Sequence, residues 1–257
     1  MAVIIKTTEE ISLIREAGRR LAEVVARTIE QVRPGITSKE LDTFAENLIL
    51  SMGDKPAFKG YQPDMASAAF PATLCLSINE EVVHGIPSDR VVKEGDLVTV
   101  DCGNNHKGFF ADHAISVIVG EVSQKIQNLN TDTKKALEIG IAEAVVGNRV
   151  GDIGYAIEQF VAGRYGIVRV LSGHGVGKYI HEEPYVPNYG KKNSGVPLAP
   201  GMIIAIEPML TLGTEDVLFH DDGYTVTTAD KSYSSHFEHT VLITENGPEI
   251  LTQMQIR

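Results

Sequence analysis

Apolar side chains recur at intervals of three and four residues near the start of the chain, and this spacing predicts two helices. The helices cover residues 7–32 and 37–53. Each begins with a threonine followed three residues later by a glutamate, which is the pattern of a capping box. The first is stopped by Pro34-Gly35 and the second by Gly53, since both residue types favour the end of a helix.

Short runs rich in Val, Ile and Thr follow, and they predict strands. Asn104-Asn105, between two of these runs, predicts the turn of a hairpin. Residues 54–73 lack a clear period and predict a loop. The order of elements is helices, strands, helices, strands, which predicts an α+β protein. The predicted strands lie at 74–78, 81–84, 97–101, 114–119, 167–171, 201–207, 224–227 and 236–244, and two further helices at 133–146 and 153–161.

Two strand patterns occur twice in the chain. The run from Gly95 to Asp101 has the same pattern as the run from Gly201 to Glu207: a glycine, an apolar strand and a terminal carboxylate. A second pair consists of 112–115 and 238–241, each of which opens with an acid. Strand sequences resemble one another by chance, which is the alternative explanation. The favoured interpretation is two related halves that close on one another and bring their carboxylates to one centre.

Four acids lie within or beside these apolar strands: Asp101, Asp112, Glu207 and Glu238. Burial of an unpaired carboxylate costs on the order of several kcal/mol unless a cation compensates its charge. Any one of them could instead cap a strand end in solvent. Together with the nearby His174 they form an oxygen-rich set that suits two divalent ions and a bridging hydroxide, with Co, Mn, Fe and Zn all compatible. The residues therefore predict a dinuclear hydrolase.

Composition narrows the functional classes. The formal net charge of −11 argues against direct binding of nucleic acid or of an anionic membrane, because such surfaces need clustered positive charge. Two cysteines cannot form a disulfide framework, which favours a reducing, cytoplasmic setting. No apolar run reaches the roughly 18 residues of a membrane span, and no targeting segment is recognisable. The 257 residues predict one catalytic domain over 1–257, and the lack of a heptad pattern predicts a monomer.

Six motifs lie along the chain: Asn79 to Pro87, Asp101, Asp112, His174 to Pro184, Ile206 to Pro208 and Phe237 to Thr240. Together they resemble type I methionine aminopeptidase over nearly the whole chain. The resemblance implies an α+β pita-bread fold, in which two pseudosymmetric halves share a central antiparallel sheet covered by helices. It also implies metal-dependent removal of the initiator methionine from nascent polypeptides with a small second residue, with the ribosome as a candidate setting.

The same resemblance assigns roles to individual positions. It implies that Asp101 chelates one metal ion, that His174 binds the other, and that Asp112 and Glu238 bridge them. Glu207 is implied as a ligand that also assists proton transfer. Two catalytic histidines are implied as well: His181 polarises the scissile carbonyl or its oxyanion, and His84 contacts the substrate near the cleaved amide. The implied methionine pocket consists of Phe58, Tyr61, Phe70, Cys75, Ile180 and Tyr224.

Some positions depart from the family's usual pattern, and they concern the pocket and the surroundings of the ligands. The link Gln62 to Ala69 is longer than usual, Tyr224 stands where tryptophan is common, and Ile180 where phenylalanine is common. His236 replaces a common glutamine and adds an imidazole near the predicted metals. Two alternatives remain open: an Xaa-Pro aminopeptidase or prolidase of the same fold, which typically carries another N-terminal domain, and a non-catalytic pita-bread binding protein.

Overall fold

The computed structural model describes residues 2–63 and 68–253, which fold into four helices, one large antiparallel sheet and two smaller sheets. The helices are α1 (Thr8–Ile29), α2 (Ser38–Ser51), α3 (Gln124–Ala142) and α4 (Val150–Val161). The strands are β1 (Lys55–Pro56), β2 (Leu74–Ile78), β3 (Glu81–Val83), β4 (Leu97–His106), β5 (Phe109–Ile118), β6 (Gly166–Ile167), β7 (Gly173–Gly175), β8 (Glu182–Val186), β9 (Ile203–Ile206), β10 (Met209–Thr211), β11 (Val217–Phe219), β12 (Val226–Thr228), β13 (Ser234–His236), β14 (Glu238–Thr244) and β15 (Gly247–Ile250).

The large sheet has nine strands, and its central order is β1-β4-β5-β14-β9-β7-β8. Strand β2 pairs with β4 and β15 pairs with β14, outside this path. The smaller sheets have the orders β13-β10-β6 and β11-β12-β3. The strand pairs in all three sheets are antiparallel, as the sequence predicts.

Each pair of helices covers one half of the large sheet. Apolar side chains of α1 and α2 form a core with those of β2 and β4, whereas α3 and α4 form a second core with β9 and β14. The predicted capping boxes at Thr7 and Thr37 are both present. Among the described ranges, none of the helices combines the length and the apolarity that crossing a bilayer requires.

The predicted hairpin turn at Asn104-Asn105 is wrong. Both asparagines lie in β4, where they pair with Ala111 and Phe110 of β5. The chain turns instead at Lys107-Gly108, whose φ angles are 52° and 89°. A two-residue hairpin turn of type I′ has positive φ at both central positions, and glycine adopts that conformation without strain. Asn104 is buried and donates a hydrogen bond from its side chain to the carbonyl of Ala17.

Several predicted boundaries also differ from the structure. Helix α3 begins at Gln124, well before the predicted residue 133, because its first turns are polar on one side while Ile126 and Leu129 face the core. The predicted strand 167–171 is reduced to Gly166–Ile167. The sequence patterns did not predict β1, β7, β8, β10, β11, β13 or β15, which are all five residues or shorter. Such short runs contain too few positions for an alternation to be recognised.

Candidate metal centre

The five predicted metal ligands lie on five neighbouring strands of the large sheet. Asp101 is on β4, Asp112 on β5, Glu238 opens β14, Glu207 directly follows β9, and His174 is the central residue of β7. These strands are consecutive in the sheet, in the order β4-β5-β14-β9-β7. The topology therefore gathers residues from distant parts of the chain along one line across the sheet.

The strand register places the carboxylates on the same face. Ala114 pairs with both Asp101 and Glu238, so these three side chains project to one side. Asp112 is two residues from Ala114 on β5, and alternate residues of a strand share a face. The intervening His113 pairs with His239 and projects to the opposite side, where the two rings stack with centroids 4.7 Å apart.

Contacts on the ligand face are short. One oxygen each of Asp112 and Glu238 and one nitrogen of His174 all lie within 4.8 Å of one another. His174 Nε2 lies 3.9 Å from Asp112 Oδ2 and 3.5 Å from Glu207 Oε1. Asp101 lines the same cavity, and its Oδ1 has no hydrogen-bond partner among the described residues. The Oε1 atom of Glu238 is likewise buried and unpartnered within that part of the chain.

Burial dominates the electrostatics of the four carboxyls. It raises the pKa of Asp101 to about 8. It also raises the pKa of Asp112, Glu207 and Glu238 well above the ordinary range, and negative charge on the neighbouring carboxylates adds to the effect. Four carboxyls so close together are unfavourable when ionised, so a cation or protons must accompany them.

The protonation of His174 supports a cation. Its Nδ1 lies 2.9 Å from the carbonyl oxygen of Gly175, and because a carbonyl only accepts, Nδ1 carries the proton. Burial lowers the pKa of His174 to about 4, so the ring is neutral near pH 7 and Nε2 presents a lone pair. That lone pair faces the oxygens of Asp112 and Glu207, which are also electron-rich. The donor set, with its buried and unpartnered oxygens, fits divalent metal ions.

Two further histidines reach the same cavity. His84 follows β3 with a φ of 58°, and its neighbour Gly85 is held against β2 by a hydrogen bond from the amide of Leu76. His181 forms an edge-to-face contact with His174, with ring centroids 4.5 Å apart. Desolvation in the cavity, followed by the nearby imidazoles, lowers the pKa of His84 to about 4 and also lowers the pKa of the more exposed His181. Both rings are therefore neutral hydrogen-bonding groups at pH 7.

A hydrogen bond fixes the orientation of His181. The hydroxyl of Tyr61 lies 2.9 Å from His181 Nδ1, and the two rings are in tilted contact. These residues are far apart in the sequence, and no spacing predicts that they meet. The contact occurs because the loop after β1 passes over the segment between β7 and β8.

The ligands and both histidines line one cavity of about 610 Å³. Five of the six predicted pocket residues line it as well: Phe58, Tyr61, Phe70, Cys75 and Tyr224. Phe70 and Tyr224 meet edge to face with ring centroids 5.0 Å apart. Ile180 does not line this cavity. It is buried in the apolar cluster of Phe58 and Phe70 and borders a neighbouring pocket.

Other residues of the cavity carry no distinctive signal in the sequence. Met209 and Val226 belong to a small buried cluster, whereas Tyr185 and Phe219 are exposed at the cavity. The predicted link between Tyr61 and Phe70 lies partly outside the described residues. Its end at Ala68 accepts a hydrogen bond from the Tyr224 hydroxyl, which shows how the tyrosine contacts the longer link.

Comparisons with known proteins agree with this geometry. The chain matches the metallopeptidase family M24 over residues 12–245. It is 46% identical to a methionine aminopeptidase of Aquifex aeolicus, over 99% of this chain and 100% of that protein. A crystal structure of methionine aminopeptidase from Thermotoga maritima superposes with a TM-score of 0.94 at 40% identity, covering 98% and 100% of the two chains.

A prolidase from Pyrococcus furiosus is more distant. It gives a TM-score of 0.79 at 27% identity, and the match covers 98% of this chain but only 66% of the prolidase. Methionine aminopeptidases and prolidases share one architecture, so the expected pita-bread fold is confirmed.

Proposed function

The chain belongs to metallopeptidase family M24, and we propose that it removes the N-terminal methionine from polypeptides whose second residue is small. The observation that carries the proposal is the end-to-end match to methionine aminopeptidases at 46% identity. The substrates are the N-termini of nascent polypeptides, which the enzyme meets at the ribosome. We place it in the cytoplasm as a monomer with one catalytic domain over residues 1–257, following the sequence predictions.

Divalent metal ions belong to the proposed chemistry, since the family is metal-dependent and the buried cluster suits such ions. We assign two ions to the site, which would be held by five side chains: Asp101, Asp112, His174, Glu207 and Glu238. The donor set is compatible with Co, Mn, Fe and Zn. Such ions, when bound, act as Lewis acids toward the scissile carbonyl and make water nucleophilic at neutral pH.

The chain's own side chains then handle protons and developing charge. Glu207 is the partly exposed carboxyl of the set, and we assign it the transfer of a proton between the attacking water and the leaving amine. In this hydrogen bond the Tyr61 hydroxyl is the donor and His181 Nδ1 the acceptor, so the neutral His181 ring carries its proton on Nε2. From Nε2 it can donate to the oxygen of the scissile carbonyl as negative charge develops there. His84 is assigned a hydrogen bond to the substrate beside the cleaved amide.

The apolar wall of the cavity is the proposed methionine pocket. Phe58, Phe70, Cys75 and Tyr224 line it, and Tyr61 joins it to His181. A thioether is flexible and polarizable, and it packs well against aromatic rings. Ile180 supports this wall from behind, as part of the same apolar cluster.

Tripeptide hydrolysis distinguishes this function from the proline-directed alternative. The wild-type protein, supplied with divalent ions, is expected to release methionine from Met-Ala-Ser and to leave Ala-Pro-Ser intact. Met-Trp-Ser, which has a bulky second residue, serves as the control for the small-residue requirement and is expected to react much more slowly. Cleavage of Ala-Pro-Ser without cleavage of Met-Ala-Ser would overturn the proposal in favour of a prolidase-like activity.

A further inference from the structure

His236 is a buried imidazole at the edge of the metal centre whose role the five ligands do not explain. Its exposed fraction is 2%, and neither ring nitrogen has a hydrogen-bond partner among the described residues. Its Nε2 lies 3.6 Å from Glu207 Oε2, while the other oxygen, Glu207 Oε1, lies 3.5 Å from His174 Nε2. The Glu207 carboxylate therefore stands between two imidazoles, one facing each oxygen.

The backbone around His236 is held firmly in place. Strand β13 pairs with β10, where His236 lies opposite Met209, two residues after Glu207. Its amide donates to Ser116 Oγ at 3.0 Å, and its carbonyl accepts from the same hydroxyl at 2.8 Å. Ser116 lies on β5, the strand that carries Asp112. Pairing with β10 and with Ser116 fixes the position from which the ring points at Glu207.

The two imidazoles around Glu207 differ in their protons. The Nδ1 proton of His174 is bound by the carbonyl of Gly175, which leaves Nε2 as a lone-pair donor. No acceptor within the described part of the chain holds a proton on His236 Nδ1. A neutral imidazole must keep one N–H, and a buried N–H without an acceptor is destabilising. Glu207 Oε2 is an acceptor 3.6 Å from His236 Nε2, just beyond hydrogen-bond distance, so a small movement of either side chain would join them.

We propose that His236 is a positioning residue whose Nε2–H holds Glu207 Oε2, so that Glu207 Oε1 faces His174 Nε2, the neighbouring donor that would hold a divalent ion. This inference rests on the proposed function, because it requires Glu207 to be a metal ligand. It assigns a purpose to a buried imidazole that the five ligands do not explain, and a glutamine at the same position could also donate one hydrogen bond to the carboxylate. Partners of this kind orient a ligand before the metal arrives and raise its affinity for the ion.

The test is a titration of the metal-free full chain with Co²⁺ alone, in which calorimetry measures the affinity and visible absorption reports the coordination of the ion. His236→Leu replaces the hydrogen-bond donor with an apolar side chain, whereas His236→Gln keeps a donor. Ser235→Ala is the matched control, since Ser235 is on the same strand and its hydroxyl contacts Asn130 at 3.1 Å. His236→Leu is expected to weaken Co²⁺ binding by roughly 10- to 100-fold, with His236→Gln within about threefold of wild type.

Two results would overturn the inference. One is Co²⁺ affinity for His236→Leu within about twofold of wild type, well below the usual effect of losing such a partner. The other is an equal loss in His236→Gln with an altered cobalt spectrum, which would make His236 itself a ligand.

Nitrogen NMR of the wild-type protein checks the same point without any variant, in case His236→Leu does not fold. The proton of His236 is expected on Nε2, and finding it on Nδ1 would contradict the assignment. None of these measurements uses a peptide. Their failure therefore leaves the Met-Ala-Ser result standing, and failure of peptide hydrolysis leaves the order of the Co²⁺ affinities unchanged.

Discussion

In protein stripped of divalent ions, the free energy of unfolding is expected to fall as the pH rises from 7 to 8. Burial raises the pKa of Asp101 to about 8 and raises that of Asp112, Glu207 and Glu238 well above the ordinary range. In the unfolded chain these carboxyls titrate at about pH 4. Across this interval the folded, metal-free protein therefore holds protons that the unfolded chain has already lost.

The size of the effect follows from proton linkage. A raised pKa stabilises the folded state fully below the unfolded pKa, and this stabilisation is lost as the pH rises through the folded pKa. Asp101, half-titrated near pH 8, contributes a loss of about 1 kcal/mol between pH 7 and 8. Each carboxyl that stays protonated throughout adds a further loss on the order of 1 kcal/mol. Buried neutral histidines such as His84 and His174 have lowered pKa values and act in the opposite direction, but only below about pH 6.5.

Urea denaturation of chelator-treated protein at pH 7, 7.5 and 8 measures this fall directly. The same protein loaded with divalent ions is the control, and its free energy of unfolding is expected to change little because the ions keep the carboxylates ionised in the folded state. A constant or rising free energy of unfolding in the metal-free protein would refute the reasoning, because it would mean that the carboxyl cluster is not protonated when empty of cations.

Other substitutions test separate parts of the structure. His181→Ala is expected to lower kcat on Met-Ala-Ser by about 10²- to 10³-fold with little change in KM, and a rise in KM alone would contradict its transition-state role. Tyr61→Phe removes the hydroxyl that bonds His181 Nδ1. Loss of this hydrogen bond, worth about 1 kcal/mol, predicts a roughly fivefold fall in kcat/KM. An unchanged kcat/KM would argue against positioning by Tyr61. Gly18→Ala would place a Cβ 2.5 Å from the Leu251 carbonyl oxygen. Urea denaturation is expected to show a free energy of unfolding lower by about 1 to 3 kcal/mol, with kcat retained. An unshifted urea midpoint would contradict that packing.

The acids of the site were predictable from the sequence because the cost of burying charge makes them conspicuous. Asp101 sits in a run of Val, Leu and Thr, and Glu238 opens a strand of similar character. The repeat of an apolar strand with a terminal acid predicted that the two halves would bring their acids to one centre. The pairing register that places them on one face came from the structure. In the structure, four carboxyls and His174 do lie along one face of the sheet.

The remaining features depend on tertiary contacts that leave no local pattern. Asn104-Asn105 looks like a turn, but continued pairing with β5 keeps it in the strand, and Lys107-Gly108 makes the turn. The bond between Tyr61 and His181 joins two irregular segments, whose path no periodicity describes. Ile180 is apolar wherever it stands, so its residue type could not tell the cavity wall from the core behind it.

The most direct test of the central claim is the release of methionine from Met-Ala-Ser by metal-free protein as divalent ions are added back, with Glu238→Gln measured beside it. The account predicts no release without ions, a rate that rises with Co²⁺ or Mn²⁺ until the site is filled, and an inactive Glu238→Gln with weakened metal binding. Full activity in the chelated wild-type protein, or wild-type turnover in Glu238→Gln, would contradict it.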